Sequence, residues 1–263
     1  MKTSSELKLM ARRALRGNYG NASGAVLVMY IVSLLCLIPF GIVIAFASLA
    51  GGNGDGGVLA AALCVPAAVI VYFLVLLVLS VGYLRLCYQI AVGAESDMND
   101  LFFVLKNHFT RYIGALFLLM LCGILACMPG FLLWFLLLEA GNIVGGAVLG
   151  YLLVLVLFVV VMCRYAMALY IMVENPQMRV REALQASREL MRGNVWRMIK
   201  LEFSFFGIYL LGMITFGTGY IWILPYISCT NALFYLEIKE EKFPTVYKSA
   251  EEEAFDARFE RNV

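Results

Sequence analysis

The chain has 263 residues, 63% of them hydrophobic and only 14% charged, with a formal net charge of +2 and a mean hydropathy of +0.88. Soluble domains carry roughly 45–50% apolar and roughly 25% charged residues, so a water-soluble globular fold is excluded. The near-neutral charge likewise removes any electrostatic case for nucleic-acid binding.

The first apolar run comes after a short amphipathic stretch. Leu7, Met10, Ala11, Ala14 and Leu15 recur at helical spacing, with Lys8, Arg12 and Arg16 on the other face. Thr3 and Glu6 fit a capping box at its start. This reads as a surface helix over about 5–15, an elbow leading into the membrane. No central apolar region follows the N-terminal Met, so a cleaved signal peptide is not expected. The spacing then predicts membrane helices from Ser23 to Ala50 and from Val58 to Arg85, joined by the glycine-rich residues 51–57. A second elbow, about 97–107, places Met98, Leu101, Phe102 and Leu105 on one face after Ser96 or Asp97 as N-cap. Helices three and four follow, Tyr112 to Leu138 and Ile143 to Arg164, joined by Glu-Ala-Gly-Asn at 139–142. The third elbow, about 179–192, has Val180, Ala183, Leu184, Ser187 and Met191 on its apolar face and Arg181, Arg188 and Arg192 opposite. Asn175 and Pro176 suit its N-cap and first position. Helices five (Lys200 to Phe216) and six (Tyr220 to Ile238) are separated by Gly217, Thr218 and Gly219. The tail, 239–263, carries Phe255 and Phe259 on one helical face.

The predicted architecture is all-α: a polytopic membrane protein of six transmembrane helices, arranged as three hairpins each preceded by an amphipathic interfacial helix. Residues 1–238 form one membrane domain, with repeat-like units 3–95, 96–174 and 175–238. The first and third elbows also match in sequence: Glu6, Arg12, Arg16, Gly17 and Asn18 align with Glu182, Arg188, Arg192, Gly193 and Asn194. In that shared Arg-Gly-Asn, glycine ends the surface helix in a left-handed conformation and asparagine caps the next helix. Arg85 and Glu95 repeat at the spacing of Arg164 and Glu174. None of the three short hairpin connections holds a lysine or arginine; all 20 fall on the other side. By the positive-inside rule that side, with both termini, is cytoplasmic, and the protein belongs in the plasma membrane.

Catalytic chemistry is sought and not found. Asp55, Asp97, Asp100 and Asp256 all lie outside the spans, His108 is the single histidine, and no phosphate- or dinucleotide-binding glycine motif occurs. An enzyme, a cofactor and a metal site are not expected. The seven cysteines lie in apolar stretches without a CxxC pair and read as small buried hydrophobes. Two features do point to binding. Arg85, Arg164, Glu202, Thr230 and Asn231 form a polar layer near the inner face. Intramembrane charges face the bundle and find partners: either the arginines snorkel and pair with Glu202, or they hold an anion or lipid headgroup, since guanidinium matches phosphate. Pro39, Pro66, Pro129 and Pro225 fall in the outer halves of their helices as candidate helix breaks lining a cavity. Gly141-x-x-x-Gly145 and Gly146-x-x-x-Gly150 predict close helix packing, within the bundle or between copies.

Arg164-Tyr165, Glu174-Asn175-Pro176, Ser187-x-x-Leu190-Met191-x-Gly193-Asn194, Phe203-Ser204-Phe205-Phe206-Gly207, and Thr215-x-Gly217-x-Gly219-x-x-Trp222-x-x-Pro225-Tyr226 together resemble a bacterial membrane family, the domain of unknown function 975. Leu15-Arg16-Gly17-Asn18-Tyr19-Gly20 fits it too. Thr218 and Ile208 depart from the residues that family favours, isoleucine and tryptophan, and both are packing changes. The resemblance implies a six-helix bacterial membrane protein and no activity. The functional expectation is a non-enzymatic component that handles or transports an amphiphilic or anionic, lipid-like solute. Its partners would be the bilayer and anionic lipid headgroups, and no nucleic acid. The alternative is a membrane-embedded interaction subunit or scaffold, engaging a partner protein or a second copy.

Overall fold

A computed structural model describes residues 3–50, 55–94, 97–106, 109–139 and 143–243. The expectations for His108, Glu95, Ser96, Gly141 and residues 244–263, including Phe255 and Phe259, lie outside the described residues. Among the described residues every regular element is helical.

The long helices are α2 (Tyr19–Ala50), α3 (Asp55–Val92), α5 (Phe109–Glu139), α6 (Ile143–Tyr165) and α11 (Tyr220–Lys242). Their apolar runs lack charge, and in lipid a helix satisfies every backbone amide internally. Among the described residues, five segments are long and apolar enough to cross a membrane: Tyr19–Pro39, Ala68–Val92, Phe109–Glu139, Val144–Glu174 and Tyr220–Lys242. The fourth takes in the short α7 (Ala168–Glu174) beyond α6. The expected fifth helix is not one element. It is two nine-residue helices, α9 (Val195–Phe203) and α10 (Phe206–Ile214), broken at Ser204 and Phe205. Each is only about 14 Å long, well short of the ~30 Å hydrocarbon core. The expected second helix is longer than read, running past Arg85 to Val92.

All three elbows are present. Helix α1 (Ser4–Leu15) carries the predicted capping box: the Thr3 N–H donates to the Glu6 carboxylate at 2.6 Å, and the Glu6 N–H donates to Thr3 Oγ1 at 3.4 Å. The second elbow is a 3₁₀ turn, Met98–Phe102, followed by α4 (Phe103–Lys106), with Asp97 at the N-cap. The third is α8 (Val180–Met191). Its N-cap is Arg179 rather than Asn175. Asn175 instead ends α7, and the Pro176 carbonyl accepts from Arg111. The Arg-Gly-Asn turns are near copies. Arg16 has φ −62°, ψ 118° and Gly17 φ +94°; Arg192 has φ −63°, ψ 114° and Gly193 φ +88°. Asn194 does not cap through its side chain. Its amide instead donates back to the Leu190 carbonyl at 3.3 Å while its Oδ1 accepts from Arg197.

The core gathers at one end of the bundle, here termed the base, where the elbows lie. Among the residues whose burial is described, the buried ones on α2 are Ala22, Ala25 and Val26, and those on α3 fall within Val78–Ile90. On α11 they extend from Pro225 to Ile238. The second elbow packs so tightly on α3 that a Cβ at Gly82 would overlap the Leu101 carbonyl. Beyond the base, α5 and α6 pair through Gly130, Gly146 and Gly150, where added Cβ atoms would meet Val154, Trp134 and Leu137. The Gly146–Gly150 pair therefore packs within its own hairpin.

The third hairpin, α10–α11, is shorter than the other two. Its turn has Phe216 at φ +52° and Gly217 at φ +85°, the left-handed backbone predicted for Gly217. The Gly217 carbonyl accepts from the Tyr30 hydroxyl at 3.4 Å, and the Trp222 carbonyl accepts from Tyr19 at 2.7 Å. Helix α2 runs on from Tyr30 to Ala50, roughly 30 Å past the level of that turn. At its other end α11 is tied into the base. Arg197 pairs with Glu237 at 2.8 Å and Glu241 at 3.0 Å. Lys239 pairs with Glu174, which also accepts from the Tyr235 hydroxyl at 2.5 Å.

Candidate functional site

The five residues of the expected polar layer divide among three places. Arg85 is held by the second elbow: its Nε donates to Asp100 at 3.1 Å, and its guanidinium lies 3.6 Å from the Phe103 ring centroid. The carboxylate neutralises it and the ring covers it, so its role is to fasten the elbow to α3. Glu202, at the end of α9, accepts from the Asn231 amide at 2.9 Å. Thr230 is buried and donates to the Tyr226 carbonyl of its own helix at 2.7 Å. Arg164 does neither. It is exposed, and among the described residues it forms no ion pair, with Glu202 or any other carboxylate.

Arg164 instead meets the third elbow. The Ser187 hydroxyl of α8 donates to the Arg164 carbonyl at 3.1 Å, which seats the foot of α6 on the buried face of α8. Arg164, Gln185, Arg188, Glu189 and Arg192 then line one depression of about 400 Å³. Three guanidiniums share it with one carboxylate. Lys242, from the end of α11, donates to the Glu189 and Arg192 carbonyls and so places a positive charge at the C-terminal end of α8. The sequence places Arg188 and Arg192 on the polar face of the elbow. The periodicity gives that face, but not its juxtaposition with Arg164.

A second cavity is apolar. Helices α2, α3, α7 and α11 enclose a groove of about 410 Å³, walled by Met29, Leu76 and Leu224, with hydroxyls from Ser33, Tyr83 and Ser228. The Ser33 hydroxyl is paired with Tyr72 at 2.9 Å. Tyr83 is 6% exposed, and its hydroxyl has no hydrogen-bond partner of normal geometry among the described residues. Sequence reading passed over it because a tyrosine in an apolar run looks like packing.

The broken helix has its own fastener. Lys8 of α1 donates to the Ser204 carbonyl at 2.7 Å and lies 4.3 Å from the Phe205 ring centroid. Burial, and then the nearby Arg12 charge, hold its pKa below the usual lysine value. The four prolines lie inside continuous helices, Pro39 in α2, Pro66 in α3, Pro129 in α5 and Pro225 in α11. Pro39, Pro66 and Pro129 are on exposed surface, Pro225 is buried, and none lines the groove or the arginine depression. Cys87 and Cys229 are buried, whereas Cys36, Cys122, Cys127 and Cys163 are partly exposed, so burial does not hold for the cysteines as a set.

Apolar helices of crossing length, joined at a charged base and faced by amphipathic elbows, define an all-helical, multi-pass membrane protein. The chain belongs to the family described as protein of unknown function (DUF975), whose model matches residues 1–242. No curated protein matches the chain, and no solved structure matches it.

Proposed function

We propose that this is a non-enzymatic membrane protein that binds the headgroup of an anionic amphiphile in the pocket of Arg164, Arg188 and Arg192, as a step in handling or moving that molecule. The observation that carries this reading is the convergence of three guanidiniums from two elements around a single carboxylate. A surplus of positive charge remains, and a phosphate or carboxylate that accepts bidentate hydrogen bonds relieves it. The pocket lies at the foot of a membrane helix against an amphipathic elbow, where headgroups sit. Arg85, neutralised by Asp100, is not part of it.

The membrane topology belongs to the same proposal. The chain enters the bilayer as three hairpins, with both ends on the basic, cytoplasmic side of the plasma membrane. The α2–α3 and α5–α6 hairpins cross fully. The α10–α11 hairpin turns back partway, as its nine-residue α10 and the position of its turn beside Tyr30 support. A scaffold role is the second reading. It rests on α5 and α6, whose most apolar windows are each only 11% buried and which could meet a protein as readily as lipid.

The test uses the full chain purified in mild detergent and mixed with phosphatidylglycerol or phosphatidylcholine vesicles. The wild type is expected to favour phosphatidylglycerol. Replacing Arg164, Arg188 and Arg192 together by alanine should reduce that preference by at least about tenfold, since lipid-facing basic residues contribute roughly 1 kcal/mol each. An unchanged preference in a folded triple variant would overturn the proposal.

A further inference from the structure

We propose that the groove between α2, α3, α7 and α11 binds a second class of ligand, an uncharged single-chain amphiphile whose hydroxyl or carbonyl oxygen accepts a hydrogen bond from Tyr83. This inference is independent of the arginine pocket.

The groove's lining sets the ligand's chemistry. Its walls are apolar and no charged residue lines it, so a carboxylate, phosphate or ammonium entering it would lose hydration without a counter-ion. Its volume, about 410 Å³, lies near the lower end of the roughly 300–1,000 Å³ of small-molecule sites, which fits one chain rather than two. The rim is open: Tyr30 and Ser80 are exposed, on helices that face the bilayer.

The polar end is set by Tyr83. A buried phenol ordinarily has a partner. Tyr30 and Ser33 have theirs in Gly217 and Tyr72, and the Ser80 hydroxyl donates to the Leu77 carbonyl at 2.8 Å. The Tyr83 hydroxyl is buried with no partner of normal hydrogen-bond geometry among the described residues, with the Ser228 hydroxyl and the Cys87 thiol beside it. A hydroxyl or carbonyl oxygen at the ligand's end completes the donor and lets Ser228 bond the same atom. The third hairpin makes this site. Leu224 and Ser228 of α11 line the groove, and the α10–α11 turn lies beside Tyr30 at its rim.

The experiment is saturation binding of tritiated 1-hexadecanol to the full chain in phosphatidylcholine nanodiscs, with empty nanodiscs as background. Saturable binding is expected, displaced by unlabelled hexadecanol and at least tenfold less well by palmitate or hexadecyltrimethylammonium. Tyr83→Phe removes one oxygen and no packing, and should weaken binding by roughly tenfold without lowering the melting temperature. Leu224→Trp should abolish binding by filling the groove; if that variant fails to fold, Tyr83→Phe decides. Non-saturable binding, full affinity in Tyr83→Phe, or charged chains that bind as tightly as the alcohol would each overturn the site. Because no arginine is altered, these outcomes are separate from those that test the anionic site.

Discussion

Arg85 and Arg164 follow two long apolar runs at matching places in the sequence, and their different fates rest on what each meets in the following elbow. Asp100 reaches Arg85 from the second elbow, whereas the third presents Arg188 and Arg192 to Arg164. The sequence marks both arginines and the acidity of the second elbow, but partner choice depends on the angle at which each elbow docks, which no spacing encodes. Glu202 and Asn231 are legible as polar interruptions of apolar runs at one depth, but the spacing points Glu202 to an arginine, and the structure gives it Asn231 instead. A double-mutant cycle on Arg85→Ala and Asp100→Ala should give a coupling of about 0.5–1 kcal/mol, since the pair is part-exposed. Chemical denaturation in detergent measures it, and zero coupling would mean the contact does not fasten the elbow. Gly82→Ala should cost more, about 1–3 kcal/mol, because backbone rather than a flexible side chain must give way.

At the scale of elements, helical periodicity locates all three elbows, and the two Arg-Gly-Asn turns share one geometry to within a few degrees. That agreement has a local cause: a glycine in the left-handed region lets the chain leave a surface helix and start the next. Gly193→Ala, at φ +88°, should lower stability by about 1–2 kcal/mol, read as a fall in melting temperature; an unchanged value would show that the turn relaxes. The break between α9 and α10 is less legible. Phe203-Ser204-Phe205-Phe206 contains no proline or glycine; at the break the Ser204 hydroxyl donates back to the Leu201 carbonyl at 2.6 Å and Lys8 of α1 holds the Ser204 carbonyl. Lys8→Met should therefore destabilise the bundle by about 1 kcal/mol and raise hydrogen exchange around Ser204. Unchanged exchange there would show that Lys8 does not hold the break.

For the whole molecule, hydropathy measures how long an apolar run is, not how far it reaches from a common base. That is why six equal spans are the natural reading of this sequence while the third hairpin is short. The last turns of α11 are tied down by Arg197, Glu174 and the α8 carbonyls, and its other end turns beside Tyr30, well before the end of α2 at Ala50. The claim that membrane lipid can enter the groove rests on that shortness. The most direct test places single cysteines at Glu139, Thr218 and Arg188 of the full chain, in a background with its native cysteines replaced, and labels intact cells with a membrane-impermeant maleimide. Glu139→Cys is expected to label from outside, Arg188→Cys only after permeabilisation, and Thr218→Cys from neither side at a comparable rate. Outside labelling of Thr218→Cys as fast as Glu139→Cys would contradict the account and restore a third full crossing.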